Sequence, residues 1–179
     1  AAWATNRTSP VVEWCKALAR REHERCGGPG VGAVGMCFTG NFALAMAPEP
    51  SVVAPVLSQP SLPLGVTKRA KRALHLSDDD LATVQRRLDA EPDLCVLGLR
   101  FSYDPLVSRE RFAHLHEALG DRFRAVEIDS SKGNPWGHRR LAHSVLTEDL
   151  VDQPGQPTHD ALQQVLDLLR TRLLETSAA

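Results

Sequence analysis

Two hydrophobic rhythms alternate along this chain. From Pro10 to Cys26, apolar side chains recur at Val11, Cys15 and Leu18, with Val12 and Ala19 beside them and charges between, a 3.6-residue period that predicts a helix. Gly27-Gly28-Pro29-Gly30 ends it. The run from Val31 to Met36 is apolar or glycine throughout and predicts a buried strand. Asn41 to Ala47 follows as a short helix closed by Pro48 and Pro50. Ser51 to Leu57 is rich in β-branched and apolar residues, the pattern of a parallel strand covered on both faces.

The same alternation continues to the end of the chain. Ser58 to Leu64, with Pro60 and Pro63, reads as an irregular surface loop. Ser77 is a natural N-cap, and Asp78, Asp79 and Asp80 after it suit the positive end of a helix rather than a metal loop. Leu94 to Phe101 predicts a third strand. Arg109 to Leu119 predicts a helix with Phe112, Leu115 and Leu119 on one face, and Phe123 to Ile128 a fourth strand. Ser130 to Gln156 is a long loop segment. The last helix, His159 to Leu174, carries Leu162, Val165, Leu166, Leu169 and Leu173, with Thr158 as its expected N-cap and His159 facing solvent. About four strands separated by helices predict a single α/β domain over residues 1–179, with a doubly wound parallel sheet.

Composition narrows the function classes. Against 22 Asp and Glu stand 21 Lys and Arg, a formal charge of -1, so no long-range field recruits nucleic acid or an anionic membrane. The basic cluster Lys68-Arg69-Lys71-Arg72 is read as a solvated loop or helix face. No apolar stretch has the length of a membrane span, and the N-terminus lacks a signal-peptide pattern, so a cytoplasmic protein is expected. The four cysteines, Cys15, Cys26, Cys37 and Cys95, have no CxxC spacing and are read as reduced thiols. The histidines are scattered, and His114 and His116 fall on different faces of a helix, so neither a metal nor a cofactor is expected. The chain starts at Ala1 and not at methionine, the expectation for a processed, trimmed or incomplete chain.

Candidate chemistry begins at Cys37, where the first strand breaks into a helix. A nucleophile in a strained strand-to-helix turn needs small neighbours, and Gly35 two residues earlier meets that need. Two residues later stands Thr39, with Gly40 following. The competing reading is a buried strand that ends in a cysteine. In parallel sheets the active groups collect at the carboxyl ends of strands. After the third strand comes Tyr103-Asp104-Pro105, and in the long loop after the fourth comes Ala142-His143-Ser144-Val145. Nucleophile, acid and histidine thus appear in the chain order of α/β-hydrolases. Asp104 also suits a plain turn. His143 is preferred as base over His159 and over His138, which lies beside Arg139 and Arg140 and is expected to be exposed.

The Gly-x-Cys of Val31 to Leu44, Tyr103-Asp104-Pro105-Leu106-Val107 and Ala142-His143-Ser144-Val145-Leu146 together resemble the dienelactone hydrolase family. That resemblance implies an α/β-hydrolase fold and a triad of Cys37 as nucleophile, His143 as base and Asp104 as its orienting group. It implies cleavage of a carboxylic ester or lactone through a thioester, with the backbone N–H of Phe38 as an oxyanion donor. Three departures go with it. Only 36 residues precede Cys37, so strands that the family places before its elbow are expected to be missing or supplied by another segment or a second copy, and no second oxyanion donor can be assigned. The segment Ser144 to Glu148 holds no arginine for a substrate carboxylate, and no glutamate that restrains the thiol can be assigned. The alternatives are a catalytically silent module of the same fold and a glutamine amidotransferase-like cysteine enzyme, although no late histidine stands in the His-x-Glu segment of that group.

Overall fold

A computed structural model describes residues 9–174. Helix α1 (Pro10–Cys26) leads into strand β1 (Val31–Met36), and a 3-10 turn over Cys37–Thr39 opens helix α2 (Gly40–Met46). Then come β2 (Val52–Ser58), α3 (Lys68–Arg72), α4 (Asp78–Ala90), β3 (Val96–Phe101), α5 (Arg109–Leu119), β4 (Phe123–Ile128) and α6 (Pro157–Leu173). The four strands are parallel and lie in the order β1-β2-β3-β4. Helices cover both faces of the sheet, as a doubly wound α/β fold requires. Among the described residues, no helix is long and apolar enough to cross a membrane.

Strand alternation divides the core. Ala33, Val52 and Val96 face a cluster shared with Val12 and Ala19 of α1, Leu44 of α2, Val84 and Leu88 of α4, and Phe112 and Leu115 of α5. Val56, Leu97, Leu99, Phe101 and Ile128 face the other way, onto Ala161 and Val165 of α6 and the loop residues Ala142 and Val145. β2 and β3 are buried along their whole length, which their unbroken apolar runs require. β2 pairs with β3 only from Val56 onward, one residue past Pro55, which has no N–H to donate. Among the described residues β1 pairs with β2 alone, and Val34 and Met36 on it are exposed.

Several boundaries differ from those the sequence predicts, for local reasons. Ser77 caps α4 as expected, accepting the N–H of Asp80 at 3.1 Å. Thr158 does not cap α6. Pro157 is pre-set for the first helical position, so the helix begins there with Gln156 before it, while Thr158 is buried and its hydroxyl accepts the N–H of Val151 at 3.0 Å. The basic cluster Lys68–Arg72 forms a short helix of its own, with the Thr67 hydroxyl accepting the N–H of Ala70 at 3.1 Å.

One buried cation ties the segment after β2 to α5. Arg111 is fully buried, and its guanidinium donates to the carbonyls of Ala73 (2.9 Å), Pro60 (2.6 Å), Ala70 (3.1 Å) and Pro63. Burial pushes its pKa down to about 10, which leaves it charged at neutral pH. One side chain thus serves four carbonyls of the segment after β2, that of Pro60 in a buried bond and the others in part-buried ones. Arg111→Ala strands them, so unfolding in urea is expected to show a stability loss on the order of 3 kcal/mol. A loss below about 1 kcal/mol would mean that the carbonyls find other partners.

Candidate active site

Cys37 stands at the carboxyl end of β1 with φ 51°, in the left-handed region that a residue with a Cβ seldom occupies. The turn that holds it there is tight. A Cβ on Gly35 would lie 2.3 Å from the Thr39 carbonyl oxygen, and one on Gly40 would lie 2.4 Å from Cα of Pro60. Both glycines are therefore steric requirements, Gly35 for the turn itself and Gly40 for the approach of the segment after β2. Thr39, which stands where the usual elbow has its second glycine, points outward. Its hydroxyl accepts the N–H of Met36 at 3.2 Å and donates to the Met36 carbonyl at 3.0 Å, closing the turn from outside.

The expected partners arrive from later strand ends. Nδ1 of His143 bonds Oδ2 of Asp104 at 2.6 Å; the Asp104 side chain is 0% exposed and that of His143 19%. Oδ1 of Asp104 accepts the N–H of Leu106 at 2.8 Å, so this aspartate closes a turn with one oxygen and holds His143 with the other. With Nδ1–H given to Asp104, Nε2 is the atom left for Cys37. Nε2 is buried and makes no hydrogen bond among the described residues, yet it lies near enough that thiol and imidazole shift each other's titration. A catalytic contact that is loose before substrate arrives is ordinary.

The local charges favour a thiolate beside an imidazolium. Burial pushes the Cys37 thiol up. The Ser61 hydroxyl, the His143 ring and the backbone N–H of Phe38 outweigh it, and the pKa falls below the ordinary thiol value. For His143, the bond to Asp104 raises the pKa, burial opposes it and Cys37 adds to the rise, which carries it to about 9. Cys15 and Cys95 shift the other way, because burial pushes both thiols up.

Residues that sequence reasoning passed over hold this constellation. Ser61, just past β2, donates its backbone N–H to the Cys37 carbonyl at 3.0 Å, and its hydroxyl lies 3.5 Å from Sγ. Oδ2 of Asp149 accepts the N–H groups of His143 (2.9 Å) and Ser144 (3.0 Å), while Arg139 holds Oδ1 at 2.7 Å. The buried apolar neighbours Ala142 and Val145 pin the same loop, and that signal is readable in the sequence. Arg100 braces the Asp104 loop by donating to the carbonyls of Ser102 (2.8 Å) and Val107 (3.1 Å).

The rival histidines lie elsewhere. His159 bonds Asp152 at 2.8 Å. His138 is not exposed, as its arginine neighbours suggested. It is 9% exposed and packs edge-on against Phe101, because Arg139 turns away to Asp149 and Arg140 lies over Tyr103. Compared with protein-family models and with curated proteins, the chain matches none.

The raised pKa of His143 links this site to stability. A base whose folded pKa is about 9, above its ordinary 6.5, stabilises the fold fully below about pH 6.5 and loses that contribution as pH rises through about 9. Wild type is therefore expected to exceed Asp104→Asn by roughly 2 to 3 kcal/mol near pH 6, a gap that closes above about pH 9. Chemical denaturation across that range checks it, and a gap independent of pH would exclude the ion pair.

Proposed function

We propose that this chain is a hydrolase that cleaves a carboxylic ester or lactone through a Cys37-His143-Asp104 triad, in the manner of the dienelactone hydrolase family. The observation that carries the reading is a cysteine held at φ 51° in a strand-to-helix elbow whose histidine partner is locked to a buried aspartate at 2.6 Å. The segments that follow β1, β3 and β4 contribute one group each, in the chain order of α/β-hydrolases.

The Cys37 thiolate attacks the carbonyl carbon, and the π pair moves to oxygen, where the N–H of Phe38 receives it. The pair then returns, the C–O bond breaks, and the departing alkoxide takes the proton from Nε2 of His143. A thioester remains. Neutral His143 now removes a proton from water, hydroxide attacks the thioester, and the thiolate leaves. Asp104 keeps the ring in one tautomer and stabilises the imidazolium that is present at both ends of the cycle.

Exposed apolar side chains near the site favour a largely apolar ester. Phe38, Tyr103, Leu106, Trp136 and Leu141 stand exposed on the segments that carry Cys37, Asp104 and His143. A reducing, cytoplasmic compartment fits a nucleophile that works only as a free thiol.

Hydrolysis of p-nitrophenyl acetate is expected to vanish in Cys37→Ala and to fall by about 10²-fold or more in His143→Ala. Its rate should rise with ionisation of the depressed thiol and decline as His143 loses its proton near pH 9, giving a bell. Iodoacetamide should label Cys37 well ahead of Cys15 and Cys95. Hydrolysis that survives Cys37→Ala unchanged refutes the reading.

A further inference from the structure

Ser61 lies outside the triad and nevertheless touches its nucleophile. It is 4% exposed, with Oγ 3.5 Å from Sγ of Cys37 and its N–H on the Cys37 carbonyl at 3.0 Å. The segment around it has little room to move. Asn41 of α2 donates to the Leu62 carbonyl, Arg111 holds the carbonyls of Pro60 and Pro63, and the bare Cα of Gly40 packs on Pro60. A hydroxyl fixed this way costs little reorganisation when charge develops beside it.

At rest the Ser61 hydroxyl lies 3.5 Å from the sulfur, and it and the Phe38 N–H both lower the thiol's pKa. Attack on a carbonyl removes the negative charge from sulfur and delivers it to an oxygen bonded to the same carbon. Donors that serve the thiolate are then beside the oxyanion. Ester hydrolysis of this kind needs two such donors, and the first is Phe38.

We propose that Ser61 is a catalytic residue whose hydroxyl donates to the Cys37 thiolate before attack and to the substrate oxyanion after it, as the second oxyanion donor beside Phe38. The proton stays on Ser61 throughout. Sγ–C forms as the carbonyl π pair moves to oxygen; when the pair returns, the leaving C–O bond breaks and His143 protonates the alkoxide. This role rests on the hydrolase reading above.

Alkylation and acylation separate the two duties of the hydroxyl, because iodoacetamide needs only a thiolate and p-nitrophenyl acetate also builds an oxyanion. Ser61→Ala should move the midpoint of the iodoacetamide rate profile to higher pH. The p-nitrophenyl acetate burst, divided by the thiolate fraction from that profile, should still be about 10²-fold slower than wild type, with KM within about twofold. Ser61→Thr and Ser61→Val share one shape and differ in the hydroxyl, so Thr should stay within about tenfold of wild type while Val follows Ala. Thermal melts confirm that each variant is folded. Acylation per thiolate within about twofold of wild type in Ser61→Ala, or equal rates for Thr and Val, overturns the proposal. Hydrolysis that does not depend on Cys37 sinks the hydrolase reading, and this role with it.

Discussion

A φ of 51° at Cys37 costs the backbone roughly 1 kcal/mol or more, and contacts around the end of β1 hold it there. Gly35 lets the Thr39 carbonyl pass where a side chain would stand. Thr39 reaches back to both polar groups of Met36, and the Cys37 carbonyl accepts the N–H of Ser61 besides that of Gly40. Because the turn is fixed, Sγ projects over the carboxyl edge of the sheet, and the loops after β2, β3 and β4 meet there. The Cys37 thiol and the His143 ring shift each other's titration because that turn brings the sulfur to the loop after β4.

Those loops are irregular and partly buried, so their backbone carbonyls need partners that are not strands. Arginine supplies them. Arg100 and Arg111 are among the largest fully buried side chains, and Arg100 gives two of its donors and Arg111 four of its donors to carbonyl oxygens. Arg100 also lies 3.2 Å from Glu127, as an ion pair, while Arg111 has only carbonyls. A planar fork of five donors can serve several oxygens at once where a lysine could not. The loop that carries His143 uses the opposite sign, since Asp149 collects backbone N–H groups.

The elements were legible where periodicity and punctuation agree. α1, β1, α5 and β4 fall where their patterns place them, since Pro10, Gly27 and the apolar periods all speak locally. Cys37, Asp104 and His143 could be brought together on paper because each lies at a strand end, and a parallel sheet sends its strand ends to one edge. Ser61 and Asp149 could not. A serine between two prolines and an aspartate in a polar loop carry no period, and their partners are set by a three-dimensional approach that no local rule encodes. The burial of His138 was hidden for the same reason: its neighbours are arginines in sequence and a phenylalanine in space. Thr39 looked like a defect in the elbow until its hydroxyl was seen to close the turn from outside.

The carbonyl cage of Arg111 also sets an order of assembly. The carbonyls of Pro60, Pro63, Ala70 and Ala73 wait for a side chain 51, 48, 41 and 38 residues further along. Until β3 has paired and α5 has docked, only Asn41 and the Cys37 carbonyl hold that segment, and Ser61 with it. His143 comes later still. A ribosome releasing this chain from its N-terminus therefore exposes the cysteine elbow before the histidine that lowers its pKa, so Cys37 stays closer to an ordinary thiol while the nascent fold is still open.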